Sequence, residues 1–186
     1  MALSPPAPRE PFHARTIRCQ GWRRQDGDWD VEGHMLDTKP FDYDEPVRGH
    51  RQAGSPVHEI SIRLTVDDQL VVKAIEVALE AVPYTACPGA AAAFQGLVGS
   101  RIGGSWRRTV NETVGGTSGC THARELLFPL ATVAFQTVHG WRPDLTQLHP
   151  VESSGERPFF IDACRSWAAD GEMVARFYPR YAGKRA

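Results

Sequence analysis

Val57-His58-Glu59-Ile60-Ser61-Ile62-Arg63-Leu64-Thr65-Val66 decides the fold. Ile60, Ile62, Leu64 and Val66 recur at every second position, with His58 opening the same face. Glu59, Ser61, Arg63 and Thr65 occupy the other. A period of two with many β-branched residues specifies a strand buried on one side only. Asp67-Asp68-Gln69 turns the chain, and Leu70 to Val82 returns as a second strand, although Ala74 to Glu80 also permits helix. A sheet apolar on one face needs another layer to cover it.

Towards the N-terminus, Phe12 to Cys19 alternates as a strand, and Gln25-Asp26-Gly27-Asp28 supplies the Asp-Gly signal of a hairpin. Trp29 to Leu36 is the returning strand, ended by Asp37-Thr38-Lys39-Pro40. Its Asp30, Glu32, His34 and Leu36 share one face, which is either plain solvent or one wall of a polar cleft. Asp42 to Gly54 is polar, contains proline and glycine, and is expected to be a loop.

Towards the C-terminus the pattern changes to helix. Gly89 to Gly99 is alanine-rich and helix-favouring, with Pro88 suited to a first turn. Trp106 to Val114 is a short amphipathic helix. Leu126 to Val138 is an apolar one, in which Pro129 predicts a kink or a late start. Between them, Gly115 to Gly119 leads into Cys120-Thr121-His122-Ala123-Arg124-Glu125. A helix N-terminus offers unpaired N–H groups and a positive dipole end, which lower a thiol's pKa and suit an anion. His122 and Glu125 are three apart, so Glu125 is a candidate to orient the imidazole. Phe159 to Tyr178 is an aromatic-rich terminal element. The expected fold is α+β: two antiparallel β-hairpins forming a sheet, packed by about three helices. Residues 12–180 form one domain, and residues 1–11 and 181–186 are disordered tails.

The 186 residues carry a net charge of −1 and are 41% hydrophobic, enough for a core and without the basic excess that nucleic acid or an anionic membrane demands. No apolar run approaches the roughly 20 residues of a membrane helix, and the N-terminus lacks the layout of a secretory signal. A cytoplasmic setting follows, with Cys19, Cys87, Cys120 and Cys164 as free thiols. GxGxxG, Walker, HExxH and GxSxG motifs are all missing, which argues against Rossmann hydride transfer, phosphoryl transfer and serine hydrolysis.

What remains is a scatter of acid–base groups: His13, Arg15, His34, Asp37, Lys39, His58, His122 and Glu125, with Cys120. Such a set fits proton transfer without an organic cofactor. An alternative is a zinc or iron site in which Cys120 and His122 combine with Cys87 or a histidine from another element. A third reading is a non-catalytic module that binds an aromatic ligand through Trp22, Trp29, Tyr84 and Trp106.

Two resemblances add to this. In layout, residues 56–138 resemble the NifU-type iron–sulfur scaffold fold, with Cys87 at the strand-to-helix junction, and Cys120 and His122 at a later helix start. The scaffold's third cysteine has no counterpart. More closely, Trp29-Asp-Val-Glu-Gly-His34-Met-Leu-Asp-Thr-Lys39 and Gly119-Cys-Thr-His-Ala-Arg-Glu-Leu-Leu127 resemble a bacterial family of unknown function. Supporting stretches are His13-Ala-Arg15, Trp22 to Gly27, Pro83-Tyr84 and Cys87-Pro88. That family is similar to small proteins found among genes for aromatic-compound catabolism. The resemblance implies a lyase acting on a lignin-derived aromatic and releasing formaldehyde from a hydroxymethyl side chain. Its partner is a small aromatic substrate, and a homo-oligomer is compatible with it. For that chemistry His34 or His58 is the candidate base, Lys39 or Arg15 the oxyanion partner, and the Gly119–His122 turn a dipole end.

Overall fold

A computed structural model describes residues 3–140, 157–158 and 160–184. Its centre is a four-stranded antiparallel sheet of β1 (Ala14–Arg23), β2 (Trp29–Thr38), β5 (Pro56–Val66) and β6 (Val72–Ala81), in the order β1-β2-β5-β6. The two expected hairpins are both present and are joined through β2 and β5. The Asp26-Gly27 turn is where the alternation places it, with Gly27 at φ 97°, a backbone region that costs glycine nothing. Within Leu70 to Val82, Val72–Ala81 forms strand rather than helix, because Val72, Ile75, Val77 and Leu79 pair with the apolar positions of β5.

One expectation fails between the hairpins. Asp42 to Gly54 is not a plain loop but a second, two-stranded sheet of β3 (Tyr43–Glu45) and β4 (Gly49–Arg51). Its polar sequence hides the pairing. The hairpin is held from its side chains, where Arg48 donates to Glu45 and to the Val57 carbonyl, and Tyr43 Oη donates to Glu45.

Helices cover only the inner face of the large sheet. The alanine-rich stretch forms a 3-10 helix, Cys87–Leu97, instead of an α-helix. Alanine and glycine side chains are small enough to tolerate the eclipsed stacking of that tighter winding, and Gln95 anchors the segment to the Ile75 carbonyl. The helix α1 (Trp106–Val114) follows as expected. The long helix α2 (Thr121–His139) starts five residues before the expected Leu126 and runs through Pro129 without ending. It lies directly on β1 and β2, because those strands carry glycines beneath it. A Cβ on Gly33 would meet Leu130 at 3.1 Å and Leu126 at 3.2 Å, and one on Gly21 would meet Thr137 Oγ1 at 1.8 Å. Ala123, Leu126, Leu127, Leu130, Ala134 and Val138 form the buried stripe. Each fully buried aliphatic side chain there contributes about 1.5–3 kcal/mol.

Residues 160–184 build a smaller cluster of Phe160, Ile161, Ala169, Val174 and Tyr178, which meets the main core at Phe135. It includes the short α3 (Glu172–Phe177) and a 3-10 turn, Pro179–Tyr181, so Tyr181 packs rather than trailing as tail. Most of the loop expected at Asp144–Arg157 lies outside the described residues. No helix among the described residues is long and apolar enough to cross a membrane.

Candidate active site

Strand register assembles the site. On the inner face Arg15 of β1 stands directly across from Asp37 of β2, and Asp37 directly across from His58 of β5. Three neighbouring strands therefore contribute three side chains in one row, at the end of the sheet where α2 begins. Arg15 grips Asp37 with two of its guanidinium nitrogens, Nε to Oδ1 at 2.6 Å and Nη2 to Oδ2 at 2.7 Å. His58 Nδ1 lies 3.1 Å from Asp37 Oδ2. His13, just before β1, adds Nε2 at 3.6 Å from Asp37 Oδ1. The Asp37 side chain is 1% exposed and that of His58 13%.

The helix supplies the fourth member. Cys120 is the N-cap of α2, so His122 is its second residue. The His122 ring stacks on that of His58, with centroids 3.7 Å apart and planes 28° from parallel.

The charges follow from this packing. Burial pushes the Asp37 carboxyl up, but the Arg15 fork and the adjacent imidazoles outweigh it and hold the carboxyl below its usual range. Burial lowers the pKa of His58, against the pull of Asp37. Burial, and then the neighbouring His58, lower that of His122. Both rings are thus neutral at pH 7. With Asp37 an ionised acceptor, His58 carries its proton on Nδ1 and leaves Nε2 as a free base.

Beside the imidazole pair lies a cavity of about 400 Å³, walled by Val57, Pro46, Pro83, Tyr43 and Tyr84, with Lys39, Glu45, His58 and His122 at its polar side. Lys39 is held by rings: its Nζ lies 5.4 Å from the centroids of Phe12 and Phe41 and 5.6 Å from that of Tyr43. Tyr43 is fixed in turn by its hydrogen bond to Glu45. Burial and then that acceptor raise the pKa of its phenol.

Of the residues expected from sequence, Arg15, Asp37, Lys39, His58 and His122 converge, with His13 at the edge. His34 does not. It lies on the outer face of β2, because residues 34 and 37 differ by an odd number and alternate sides. Its Nε2 is 3.3 Å from Glu59. Glu125 does not orient His122 either, and accepts instead from Arg124 at 2.7 Å. The cysteine-based metal set is not assembled. Among the described residues, the inner group able to share an ion is Asp37, His58 and His122, without Cys87 or Cys120. Cys120 packs against the core. Of the four aromatics considered for a binding cleft, Trp29 and Trp106 are core residues at 4% exposure, Trp22 is on the surface, and Tyr84 alone lines the cavity. Phe12, Phe41 and Tyr43, which surround Lys39, are not among the site residues expected from sequence; the aromatic alternation Phe41-Asp42-Tyr43 directly after Lys39-Pro40 is the signal for the last two.

Residues 13–136 match the family described as Protein of unknown function (DUF2889), and the chain belongs to that family. The match covers the site from His13 to His122 and bears out the expected membership of a family of unknown function. No curated protein and no solved structure matches the chain.

Proposed function

We propose that the Arg15–Asp37–His58 row and its adjoining cavity form the active site of a lyase that cleaves a C–C bond in a small aromatic substrate, releasing formaldehyde from a hydroxymethyl side chain. The observation that carries the reading is a neutral imidazole, fixed by a buried carboxylate, beside an aromatic-walled cavity with one aromatic-caged lysine. His58 Nε2 takes the proton of the hydroxymethyl O–H. The C–C electrons move to the adjacent carbon as formaldehyde departs and form a C=C bond there. An oxygen substituent on the next carbon leaves with its own electron pair. His58, now an imidazolium held by Asp37, returns the proton to that leaving oxygen. The step is redox-neutral and consumes no oxidant. Arg15 is spent on Asp37, so Lys39 is the cation facing the substrate and stabilises its phenolate or developing alkoxide. His122 braces the His58 ring and borders the substrate. The four free thiols are in keeping with a cytoplasmic setting.

A second reading places zinc or iron on Asp37, His58 and His122, whose ligand atoms lie within 4.8 Å of one another. Two features weigh against it. Stacked rings direct their lone pairs alongside each other instead of toward one point. Arg15 also takes up both Asp37 oxygens, Glu45 on the cavity wall is already paired with Arg48, and the Lys39 ammonium faces the same space, which disfavours a dication.

Formaldehyde release from a panel of aromatic diols tests the proposal, comparing wild type with His58→Gln. Release that disappears in the variant while its melting curve is kept supports the lyase. No release from wild type on any diol, or equal release from the variant, overturns it. Release that needs added zinc or iron transfers the site to the metal reading.

A further inference from the structure

The outer face of the sheet carries a second histidine cluster, unrelated to the cavity. His34 of β2, Glu59 of β5 and Glu80 of β6 hold ligand atoms within 4.8 Å of one another. The local backbone explains the meeting. Glu59 pairs with Ala81 and Ile60 with Leu79, so Glu80 is the extra residue of a β-bulge and has no partner of its own across the ladder. A bulge re-aims its side chain, and here it brings Glu80 alongside Glu59.

Two carboxylates so close are costly unless a cation sits with them. Elsewhere on the same face the chain provides one. Arg63 pairs with Glu32 at 2.7 Å and with Glu76 at 3.4 Å. At Glu59 and Glu80 it provides none. Glu59 has only His34, and Glu80 accepts from Ser61 Oγ at 3.1 Å. Arg18 is the cross-strand neighbour of His34, yet among the described residues neither carboxylate has an arginine or lysine partner. His34 Nε2 points at Glu59 at 3.3 Å.

We propose that His34, Glu59 and Glu80 bind a divalent transition-metal ion of the zinc, cobalt or manganese class. One imidazole and two carboxylates suit that class. The set carries a charge of −2, so binding leaves the site neutral. Three adjacent strands donate the ligands, so the ion clamps β2, β5 and β6 at the end where the bulge loosens the ladder. The site is independent of the cavity chemistry and stands or falls without it.

The test is a Co²⁺ titration of full-length protein freed of metal by a chelator, followed by absorbance and by melting temperature. We expect one ion per chain, weak ligand-field bands without a thiolate charge-transfer band, and a raised melting temperature. Glu80→Gln should weaken binding by more than about tenfold, since removal of even supporting groups costs that much. Glu59→Gln/Glu80→Gln should abolish binding, while His122→Gln keeps it. A thiolate band, loss of binding in His122→Gln instead, undiminished binding in the double variant, or no binding by wild type would each overturn the proposal.

Discussion

The two faces of one sheet each carry a histidine beside carboxylate, and their charge balances are opposite. On the inner face one carboxylate, Asp37, is surrounded by Arg15, His13, His58 and His122, with Lys39 across the cavity. On the outer face one histidine, His34, stands beside two carboxylates. The long helix makes the difference: α2 packs over β1, β2 and β5 on the inner side, and the outer row faces solvent. Burial strips water from His58 and His122 and keeps them neutral, which suits proton transfer and anionic substrates. Exposure with excess negative charge suits a cation. Histidine alone therefore does not announce a chemistry. The layer that covers it and the sign of its neighbours do so.

The contrast breaks if inner and outer substitutions behave alike. The largest expected effect is His58→Ala, which should lower turnover by about 10²–10⁴-fold, the usual contribution of a positioned acid–base group, with the fold retained by circular dichroism. Asp37→Asn should approach that loss. It should also destabilise by about 2 kcal/mol, below the range for a fully buried broken pair because Arg15 is 36% exposed. Urea unfolding checks it.

Gly33→Ala sharpens the comparison structurally. Its Cβ would press on Leu130 and Leu126, and overpacking of this kind costs about 1–3 kcal/mol. If urea midpoints do not move, α2 is not seated as described. Lys39→Met should raise KM for phenolic substrates about tenfold and change kcat less, if Lys39 holds the aromatic anion in the ground state as well as in the transition state.

The pH dependence of stability separates the faces further. The folded pKa values of His58 and His122 lie below the ordinary 6.5. Unfolded chains therefore bind more protons there, and stability falls as pH drops below about 6.5. Asp37 is also depressed from 3.8, so its contribution is present above that value and is lost as pH falls through the lower folded pKa. His122→Gln should flatten the urea midpoint between pH 6.5 and 5 relative to wild type, and an unchanged slope would show that His122 titrates normally. The smallest effect belongs to the outer face. Arg63→Ala, which removes exposed ion pairs, should cost less than about 0.5 kcal/mol and leave turnover as it was.

Much of this was legible in the residues. Strict alternation in Val57–Val66 and the Asp26-Gly27 turn determined two hairpins, because a period of two can bury only one face. The same alternation separated His34 from Asp37, and counting outward from the turn carries Arg15 opposite Asp37. The β3–β4 hairpin escaped because its stability lies in the Arg48–Glu45–Tyr43 contacts and not in any apolar period. The pairing of Asp37 with His58 crosses that hairpin, so no local count could supply the register. His122 meets His58 only because glycines at 21 and 33 let α2 settle on the sheet. Cys120 caps α2, yet among the described residues the groups able to share an ion contain no cysteine. Local sequence determined which side each residue faces, since that depends on backbone geometry over a few residues. Which faces meet, and hence which histidine becomes a buried neutral base and which a solvent-facing ligand, was decided by long-range packing of strands and helix.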